Sequence, residues 1–228
     1  MTNNIKIVGT NHISEQSIQK IKQEFLSFQP DIIAIELDKQ RLQSLLHPNQ
    51  EGKIGLAAIR QFGVKGTLFL ILGRYAQKKL GKIVNMKPGS EMLFATNLAR
   101  SNGLTLALID RPINKTIKRL FKKLTWKEKF RFLGDVLFAP FKKKQKITFN
   151  LASVPDEDVI SQLIKPLKKR YPTFYNVLIA ERDVYMSRQL AIIHKKNPDK
   201  KTLAVVGAGH VQGIHKAIPK QLQHIEVV

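Results

Sequence analysis

Short apolar segments rich in β-branched residues recur along this chain, with helical patterns between them. The segments predicted to be strands are residues 5–9, 31–37, 104–110, 202–207 and 224–228. Between the first two, Ile18, Ile21 and Phe25 follow one another at three- and four-residue steps, which is the spacing of an amphipathic helix. Nearly continuous apolar strands that alternate with helices are typical of a parallel sheet covered on both faces. The sequence therefore predicts an α/β fold with a mostly parallel central sheet flanked by helices.

Two further helices are indicated by their boundary residues and their apolar faces. The first starts at Pro88–Gly89–Ser90 and stops at Asn102–Gly103, since proline before a helix and glycine after it are common boundary signals. A longer helix is expected from about Thr173 to Lys196.

Two stretches interrupt the simple alternation. Residues 51–87 and 112–172 lean towards helix, are basic, and have breaks in their apolar pattern. We expect both to be helical insertions that cap one edge of the sheet, within a single domain formed by residues 1–228. Inside the second insertion, residues 138–158 lack a helical period and predict a loop or a short hairpin.

The composition limits the chemistry and the location. The chain has no cysteine, which excludes disulfides, thiolate metal sites and cysteine nucleophiles. Its start enters a strand at once, without the pattern of a signal peptide. The most apolar run, residues 67–72, is far shorter than the roughly 20 residues that cross a bilayer. We therefore expect a soluble, cytoplasmic protein.

The formal charge of +22 is concentrated in one part of the chain. Residues 111–146 carry thirteen Lys or Arg against Glu128 and Asp135. Such a basic surface attracts anionic ligands, anionic membranes or nucleic acid, although it is equally typical of a solvated face with no partner. Aromatic residues suited to base stacking are sparse here, and the phenylalanines are expected to pack inside, so nucleic acid is the least favoured partner. A homo-oligomer is left open.

Ionisable side chains follow four of the predicted strands. They are His12, Glu36 with Asp38, Asp110 with Arg111, and His210. Ligands of open α/β sheets bind beyond the carboxyl ends of the strands, so we expect these groups to share one crevice. Two of the ends have the same pattern, Val-Gly-x-x-His, in which the glycine lets the backbone turn sharply and approach a bound group.

Two histidines and a carboxylate are a suitable ligand set for a divalent transition metal that keeps a position open for water. The metal would lower the pKa of that water to about 7. His12, Glu36 and His210 are the candidate ligands, and Mn, Co or Zn the candidate metals. Alternatively, His12 caps the helix that follows it and His210 forms a hydrogen bond across its own turn.

Three more charged residues are candidates because of their predicted surroundings. Glu91 faces inward at the start of a helix, and Arg182 lies on an otherwise apolar stripe. A buried arginine needs a carboxylate partner or an anionic ligand. Arg182 or Arg111 could stabilise an oxyanion, and Glu91 could act as general base or extra ligand. The alternative for Glu91 and Arg182 is a structural ion pair.

Six ordered blocks spread over most of the chain carry a family resemblance. They are "GTNHIS", "PDIIAIELDKQRL", "GSEMLFA", "LIDRPINKTIKR", "ERDVYMSRQL" and "VVGAGHVQGI". Together they resemble the TraB/PrgY/GumN family, which includes pheromone-shutdown proteins and is similar to the Tiki metallopeptidases and to the erythromycin esterase and ChaN-like fold group. The resemblance implies a metal site at His12, Glu36 and His210, with Arg41 of the second block in support.

These observations lead to two functional hypotheses. The first is a metal-dependent hydrolase, most plausibly a peptidase acting on signalling peptides, with its site at the carboxyl ends of the strands. The alternative is a non-catalytic protein that sequesters an acidic peptide or other anionic ligand in a basic crevice, through Arg111 and Arg182.

Overall fold

The computed structural model describes residues 3–10, 15–47, 89–138 and 157–225. In chain order its elements are β1 (Ile5–Thr10), α1 (Glu15–Phe28), β2 (Ile32–Ile35), α2 (Lys39–Leu46), α3 (Ser90–Ser101), β3 (Thr105–Leu108), α4 (Ile113–Lys123), α5 (Trp126–Phe138), α6 (Glu157–Arg170), α7 (Pro172–Tyr175), a π-helical turn (Asn176–Ala180), α8 (Glu181–Lys196), β4 (Thr202–Gly207) and α9 (Ala208–His224).

The four described strands form one parallel sheet in the order β1–β4–β2–β3. Every residue of the two central strands, β2 and β4, is buried, whereas the edge strand β3 is partly exposed. Buried strands of this kind need no polar face, which is why their sequences are nearly continuous apolar runs. The predicted α/β fold with a parallel central sheet is confirmed.

The core lies on both faces of the sheet because alternate residues of a strand point in opposite directions. On one face, Ile33 and Ile35 of β2 pack with residues of α1 and α3. On the other, Ala34 of β2 packs with Met186 of α8 and Ile214 of α9. The sheet is therefore enclosed between two helical layers, and its carboxyl edge is where polar side chains can collect.

The predicted helix boundaries agree with the structure. Helix α1 buries Ile21 and ends before Gln29, which has a positive φ of 50°. Helix α3 follows Gly89, whose φ of 87° is in the left-handed region that favours glycine, and it ends at Asn102 before Gly103. The long helix expected from about Thr173 also forms, as α7, the π-helical turn and α8 in direct succession.

The fifth predicted strand, residues 224–228, is wrong at its first residue. His224 is the last residue of α9, a helix that buries Ile214 and Ile218 at a four-residue step. That helical stripe continues to the start of the short apolar run and places His224 in the helix. Residues 226–228 lie outside the described residues.

The described part of the second predicted insertion consists mainly of the helices α4, α5 and α6, with short non-helical links. Helices α4 and α5 share a separate apolar cluster with α7 and the π-helical turn, in which Leu120 packs with Phe174 and Val177. A loop or hairpin is predicted for residues 138–158, of which residues 139–156 lie outside the described residues. The prediction is wrong at residues 138, 157 and 158, which are helical. The first insertion, residues 51–87, also lies outside them. Within the described part of the chain, no helix has the length and apolarity required to cross a membrane.

Gly9 allows β1 to lie close to the start of α9. A Cβ atom at this position would come 2.7 Å from Val211 Cγ2 and 3.2 Å from the Cα of Ala208. Gly9, the glycine of the first Val-Gly-x-x-His pattern, therefore leaves room for α9 to pack on β1. A side chain at this position would crowd that contact.

We predict that Gly9→Ala lowers the free energy of unfolding by about 1–3 kcal/mol, because the added methyl group overpacks the contact between β1 and α9. Urea denaturation monitored by circular dichroism measures the change. Gly134→Ala in α5 is the matched control, since a Cβ atom there meets nothing within 4 Å. That control should raise stability by about 0.5–1 kcal/mol, and a Gly9→Ala variant as stable as the wild type would contradict the prediction.

Candidate active site

Polar groups from three strand ends meet at the carboxyl edge of the sheet. Glu36 directly follows β2, Asp110 lies two residues after β3, and His210 lies in the first turn of α9, three residues after β4. All three are buried, with 5%, 4% and 7% of their surface exposed. Parallel strands in register bring their carboxyl ends to one edge, so the sheet itself collects these side chains.

Arg182 of α8 joins the two carboxylates. Its Nε and Nη2 donate to the two oxygens of Asp110, at 3.0 and 2.6 Å, and Nη2 also donates to Glu36 Oε1. Nη1 donates to the carbonyl oxygen of Leu178 in the π-helical turn, at 3.0 Å. The nearby carboxylates raise the pKa of Arg182 even though burial alone would lower it. Of the two partners expected for a buried arginine on this stripe, a carboxylate or an anionic ligand, the structure has the carboxylates, as in the ion-pair alternative.

Glu36 has a second anchor on the neighbouring strand. Its Oε2 accepts a hydrogen bond from the backbone N–H of Gly207, at 2.6 Å, and its own N–H donates to the carbonyl of Val205, at 3.0 Å. The carboxylate is thus fixed between β2 and β4. Its Oε1 is the oxygen that faces Arg182 and His210.

Arg41 supports the same cluster from α2. Its Nε donates to Asp38 Oδ2, at 2.7 Å, and its Nη2 donates to Asp110 Oδ2. Asp38 also caps α2 by accepting from the backbone N–H groups of Gln40 and Arg41. Two guanidinium groups therefore share the Asp110 carboxylate, whose side chain is fully buried.

His210 lies between two acids. Its Nδ1 is 2.5 Å from Asp183 Oδ1, and its Nε2 is 3.2 Å from Glu36 Oε1 and 3.1 Å from Arg182 Nη1. A neutral ring with its proton on Nδ1 donates to Asp183 and accepts from Arg182 at Nε2. A protonated ring donates to both acids.

Burial alone would lower the pKa of His210, but the charge of Glu36 and the hydrogen bond to Asp183 outweigh it and raise the pKa to about 9. Burial likewise raises the pKa of Asp183, and the hydrogen bond to His210 offsets part of that increase. In the metal-free protein, His210 is therefore a cationic hydrogen-bond donor near neutral pH.

Asp183 has its position because Gly213 leaves room for it. A Cβ atom on Gly213 would lie 1.9 Å from Asp183 Oδ2 and 2.5 Å from its Cγ. Gly213 is one turn after His210 on α9, so the same helix that carries the imidazole also receives the carboxylate. Helices α8 and α9 approach each other closely enough for this pair only because position 213 has no side chain.

The sequence analysis missed Asp183. It shares the buried stripe of α8 with Met186, Ser187 and Leu190. A carboxylate three residues before the buried Met186 and seven before the buried Leu190 was the available signal. The predicted site residues were chosen mainly from the strand ends and from Arg182. A carboxylate on α8 that bonds to His210 was not among them.

Two predicted residues lie apart from the contacts just described. Arg111 donates from Nη1 to Glu181 Oε2, at 3.0 Å, and from Nη2 to the carbonyl of Val177, at 2.9 Å. Burial alone would raise the pKa of Glu181, but Lys123, Arg119 and Arg111 lower it to about 2. The side chain of Arg111 thus belongs to an ion-pair cluster with Glu181 of α8. Arg111 contacts the site through its backbone N–H, which donates to Asp110 Oδ1 at 2.7 Å.

Glu91 is buried in the first turn of α3, with 1% of its surface exposed, as the inward-facing prediction requires. Helix α3 runs back from this turn to the start of β3, so Glu91 lies towards the carboxyl edge. Its predicted role as general base or extra ligand stays a prediction.

His12 lies outside the described residues, so its convergence with His210 stays a prediction. The strand before it ends at Thr10, which is in register with Gly207 of β4. Within the described ranges, no group of three or more His, Asp or Glu side chains is arranged to hold a metal ion. These ranges do supply two atoms that could coordinate a divalent metal, His210 Nε2 and Glu36 Oε1. Asp183 contacts the other ring nitrogen of His210, as a carboxylate commonly does in metal-binding histidines.

The chain is similar to known proteins over nearly its whole length. The model of the TraB/PrgY/gumN family matches residues 2–225. An uncharacterized protein of Methanocaldococcus jannaschii is 36% identical over 95% of this chain and 53% of its own length. The TraB domain-containing protein of Homo sapiens is 26% identical over 93% of this chain and 62% of its own length. This chain thus spans between half and two thirds of these relatives.

One solved structure also aligns with most of the chain. It is an erythromycin esterase mutant in its open conformation, 13% identical, with a TM-score of 0.37 over 90% of this chain and 60% of the esterase. Similarity at this level carries no information about the chemistry of this chain.

We predict that the stability of the metal-free protein falls as the pH rises from about 6.5 to about 9. The folded protein keeps the proton of His210 over this range, whereas the unfolded histidine has lost it. The stabilisation is complete below pH 6.5 and is lost through the folded pKa of about 9. The difference corresponds to about 3 kcal/mol. Urea denaturation in chelator at several pH values measures it.

His210→Gln should remove this pH dependence. His215→Gln is the control, because His215 is exposed on the same helix. An unchanged pH profile in the His210 variant would contradict the assignment.

We predict that Arg182→Gln lowers the free energy of unfolding by about 3–5 kcal/mol, because Glu36 and Asp110 lose the cation that allows their burial. Arg188→Gln changes an exposed arginine of the same helix and should stay within about 0.5 kcal/mol of the wild type. Equal effects of the two variants in thermal or urea denaturation would show that the Arg182 cluster contributes nothing specific.

Proposed function

The chain belongs to the TraB/PrgY/gumN family, and we propose that it works as a metal-dependent hydrolase of peptide bonds at the carboxyl edge of its sheet. The observation that carries the proposal is the line of hydrogen-bonding groups from Asp183 through His210 to Glu36. A carboxylate behind an imidazole fixes which ring nitrogen is protonated and directs the other towards a ligand. A histidine held in this way is better suited to bind a metal than a histidine on the surface.

Under this proposal His12, Glu36 and His210 hold the metal, which is Mn, Co or Zn. A bound divalent metal supplies a Lewis acid that lowers the pKa of a coordinated water to about 7. Asp183 accepts the Nδ1–H of His210 and leaves the Nε2 lone pair available. The N–H of Gly207 holds one oxygen of Glu36 and leaves the other directed into the site.

The charges around the site support a cation. Three carboxylates, on Glu36, Asp38 and Asp110, bond to two guanidinium groups, on Arg41 and Arg182. A fourth carboxylate, on Asp183, contacts the imidazole of His210. With a neutral imidazole the cluster keeps an excess of negative charge. A divalent ion would compensate this excess and would take the place of the proton on His210 Nε2, which Glu36 and Asp183 otherwise retain by raising the pKa of His210.

Arg182 is the residue proposed to stabilise an oxyanion. It is largely buried and is held by Asp110 through two hydrogen bonds, and a metal bound to His210 Nε2 would release the Nη1 N–H that now lies 3.1 Å from that nitrogen. A donor fixed before the reaction needs no reorganisation when negative charge develops on a carbonyl oxygen. Arg41 keeps Asp110 in place from the other side, and Glu91 is the proposed general base.

A peptide substrate, including a signalling peptide, is part of the proposal. It rests on the family resemblance. The alternative function, capture of an anionic ligand by Arg111 and Arg182, has less support because both guanidinium groups are already bonded to carboxylates within the protein. An incoming anion would have to compete with those carboxylates.

The experiment is to incubate the protein with a peptide library, with each of the three metals or with chelator, and to follow cleavage by mass spectrometry. We predict metal-dependent cleavage that falls by about 100-fold or more in His12→Ala, Glu36→Gln and His210→Ala. Asp183→Asn should weaken metal affinity by about 10–100-fold, measured by calorimetry, because it removes the acceptor behind His210.

His215→Ala and Glu15→Gln are the matched controls, since both residues are exposed. They should cleave and bind metal as the wild type does. Cleavage that persists in chelator, or that is unchanged in Glu36→Gln and His210→Ala while both variants remain folded, would overturn the proposal.

A further inference from the structure

Helix α5 has two large aromatic side chains on its outer surface. Trp126 is 65% exposed and Phe130 is 68% exposed. They are one helical turn apart, and their rings stack with centroids 6.1 Å apart and an angle of 30° between planes. Paired exposed aromatic residues of this size are unusual on a surface that serves only to contact water, and they mark sites of interaction.

The aromatic pair is held outward by contacts on the other side of α5. Thr125 and Glu128 form a capping box, in which Glu128 N–H donates to Thr125 Oγ1 at 3.3 Å and Thr125 N–H donates to Glu128 Oε2 at 3.4 Å. Glu128 Oε1 also accepts from the N–H of Thr173, at 2.8 Å. Phe132 packs on Phe174, with centroids 5.6 Å apart. The start of the helix is therefore fixed, with Trp126 on its exposed side.

The phenylalanines of this segment were expected to pack inside, and that expectation is wrong for Phe130. Phe132 joins the apolar cluster of α4 and α7, whereas Phe130, two residues earlier, lies on the opposite side of the helix. The helical period separates the two rings.

The surroundings of the pair are positively charged. Lys129 Nζ lies 4.5 Å from the centroid of the Trp126 ring, and Lys122 and Lys127 are exposed close to it in sequence. The acidic residue among residues 122–131 is Glu128, which is buried and engaged in the cap. Burial alone would raise the pKa of Glu128, but its hydrogen bonds to Thr173 and Thr125 lower it.

We propose that this aromatic–basic surface, formed by Trp126, Lys127, Lys129 and Phe130 with Lys122 close to it in sequence, binds anionic membranes. Tryptophan and phenylalanine enter the boundary between headgroups and acyl chains, and lysines beside them attract anionic headgroups. A nucleic-acid base needs an open ring face on which to stack. Trp126 already contacts Phe130 and Lys129, which favours shallow insertion into a bilayer over base stacking.

The chain offers a direct probe, because Trp126 is its only tryptophan. The experiment measures Trp126 emission and co-sedimentation with vesicles of phosphatidylcholine alone and of phosphatidylcholine with phosphatidylglycerol. We expect a blue shift and sedimentation with the anionic vesicles only. Higher salt should weaken both, since screening shortens the range of the lysine charges.

Two variants and two matched controls test the surface. Phe130→Ala should weaken vesicle binding by about tenfold, and Lys122→Gln with Lys127→Gln by about 25-fold, at about fivefold for each lysine. On α1, Leu26→Ala removes another exposed apolar side chain, and Lys20→Gln with Lys22→Gln removes two exposed charges. These controls should bind as the wild type does.

The proposal is overturned by an unchanged Trp126 spectrum with anionic vesicles, by equal losses in the α1 controls, or by single-stranded RNA binding through the same residues in place of vesicle binding. His210→Ala should bind vesicles as the wild type does. That result separates this surface from the proposed peptidase site, so either proposal can fail alone.

Discussion

The guanidinium group of Arg182 holds the carboxyl edge of the sheet together. It bonds to Glu36 after β2 and to Asp110 after β3, and it lies beside His210 after β4. Without it, two carboxylates from neighbouring strands would be buried close together with only Arg41 to compensate them, which costs several kcal/mol. The arrangement of the candidate site is therefore inseparable from the stability of the sheet. The activity of a variant at this edge can therefore be interpreted only when its folding is measured alongside.

The same interaction bears on the proposed metal site. Arg182 and a metal would both be attracted by Glu36, so the position of the guanidinium decides how much of that carboxylate is available. Because Asp110 offers two further hydrogen bonds, Arg182 can keep its place while it shares Glu36. Gly213 adds a geometric condition, since only a residue without a side chain lets Asp183 reach His210.

Much of the fold could be predicted because its signals are local. The apolar runs of β2 and β4, the stripe of α1 and the glycine at the start of α3 each follow from short-range physics. The strand predicted to begin at residue 224 was wrong there because α9, whose buried face includes Ile214 and Ile218, extends to His224.

The candidate site was predictable where it depends on the sheet and not where it depends on helix packing. Glu36 and His210 converge because parallel strands deliver their ends to one edge. The sequence gives Arg111 and Arg182 the same candidate role. Contacts between distant elements pair Arg111 with Glu181 and Arg182 with Glu36. Asp183 reaches the site through the packing of α8 on α9, which no local pattern reveals.

The strand order β1–β4–β2–β3 also has a consequence for synthesis on the ribosome. Strand β4 is the last of the described strands to be translated, yet it lies between β1 and β2 and pairs with both. Until residues 202–207 emerge, β1 lacks the neighbour that it has in the finished sheet, and the edge of β2 stays open. Such long-range pairing makes folding slow and leaves the nascent chain exposed to unwanted strand addition. The central strand closes the sheet and completes the polar cluster in the same late step.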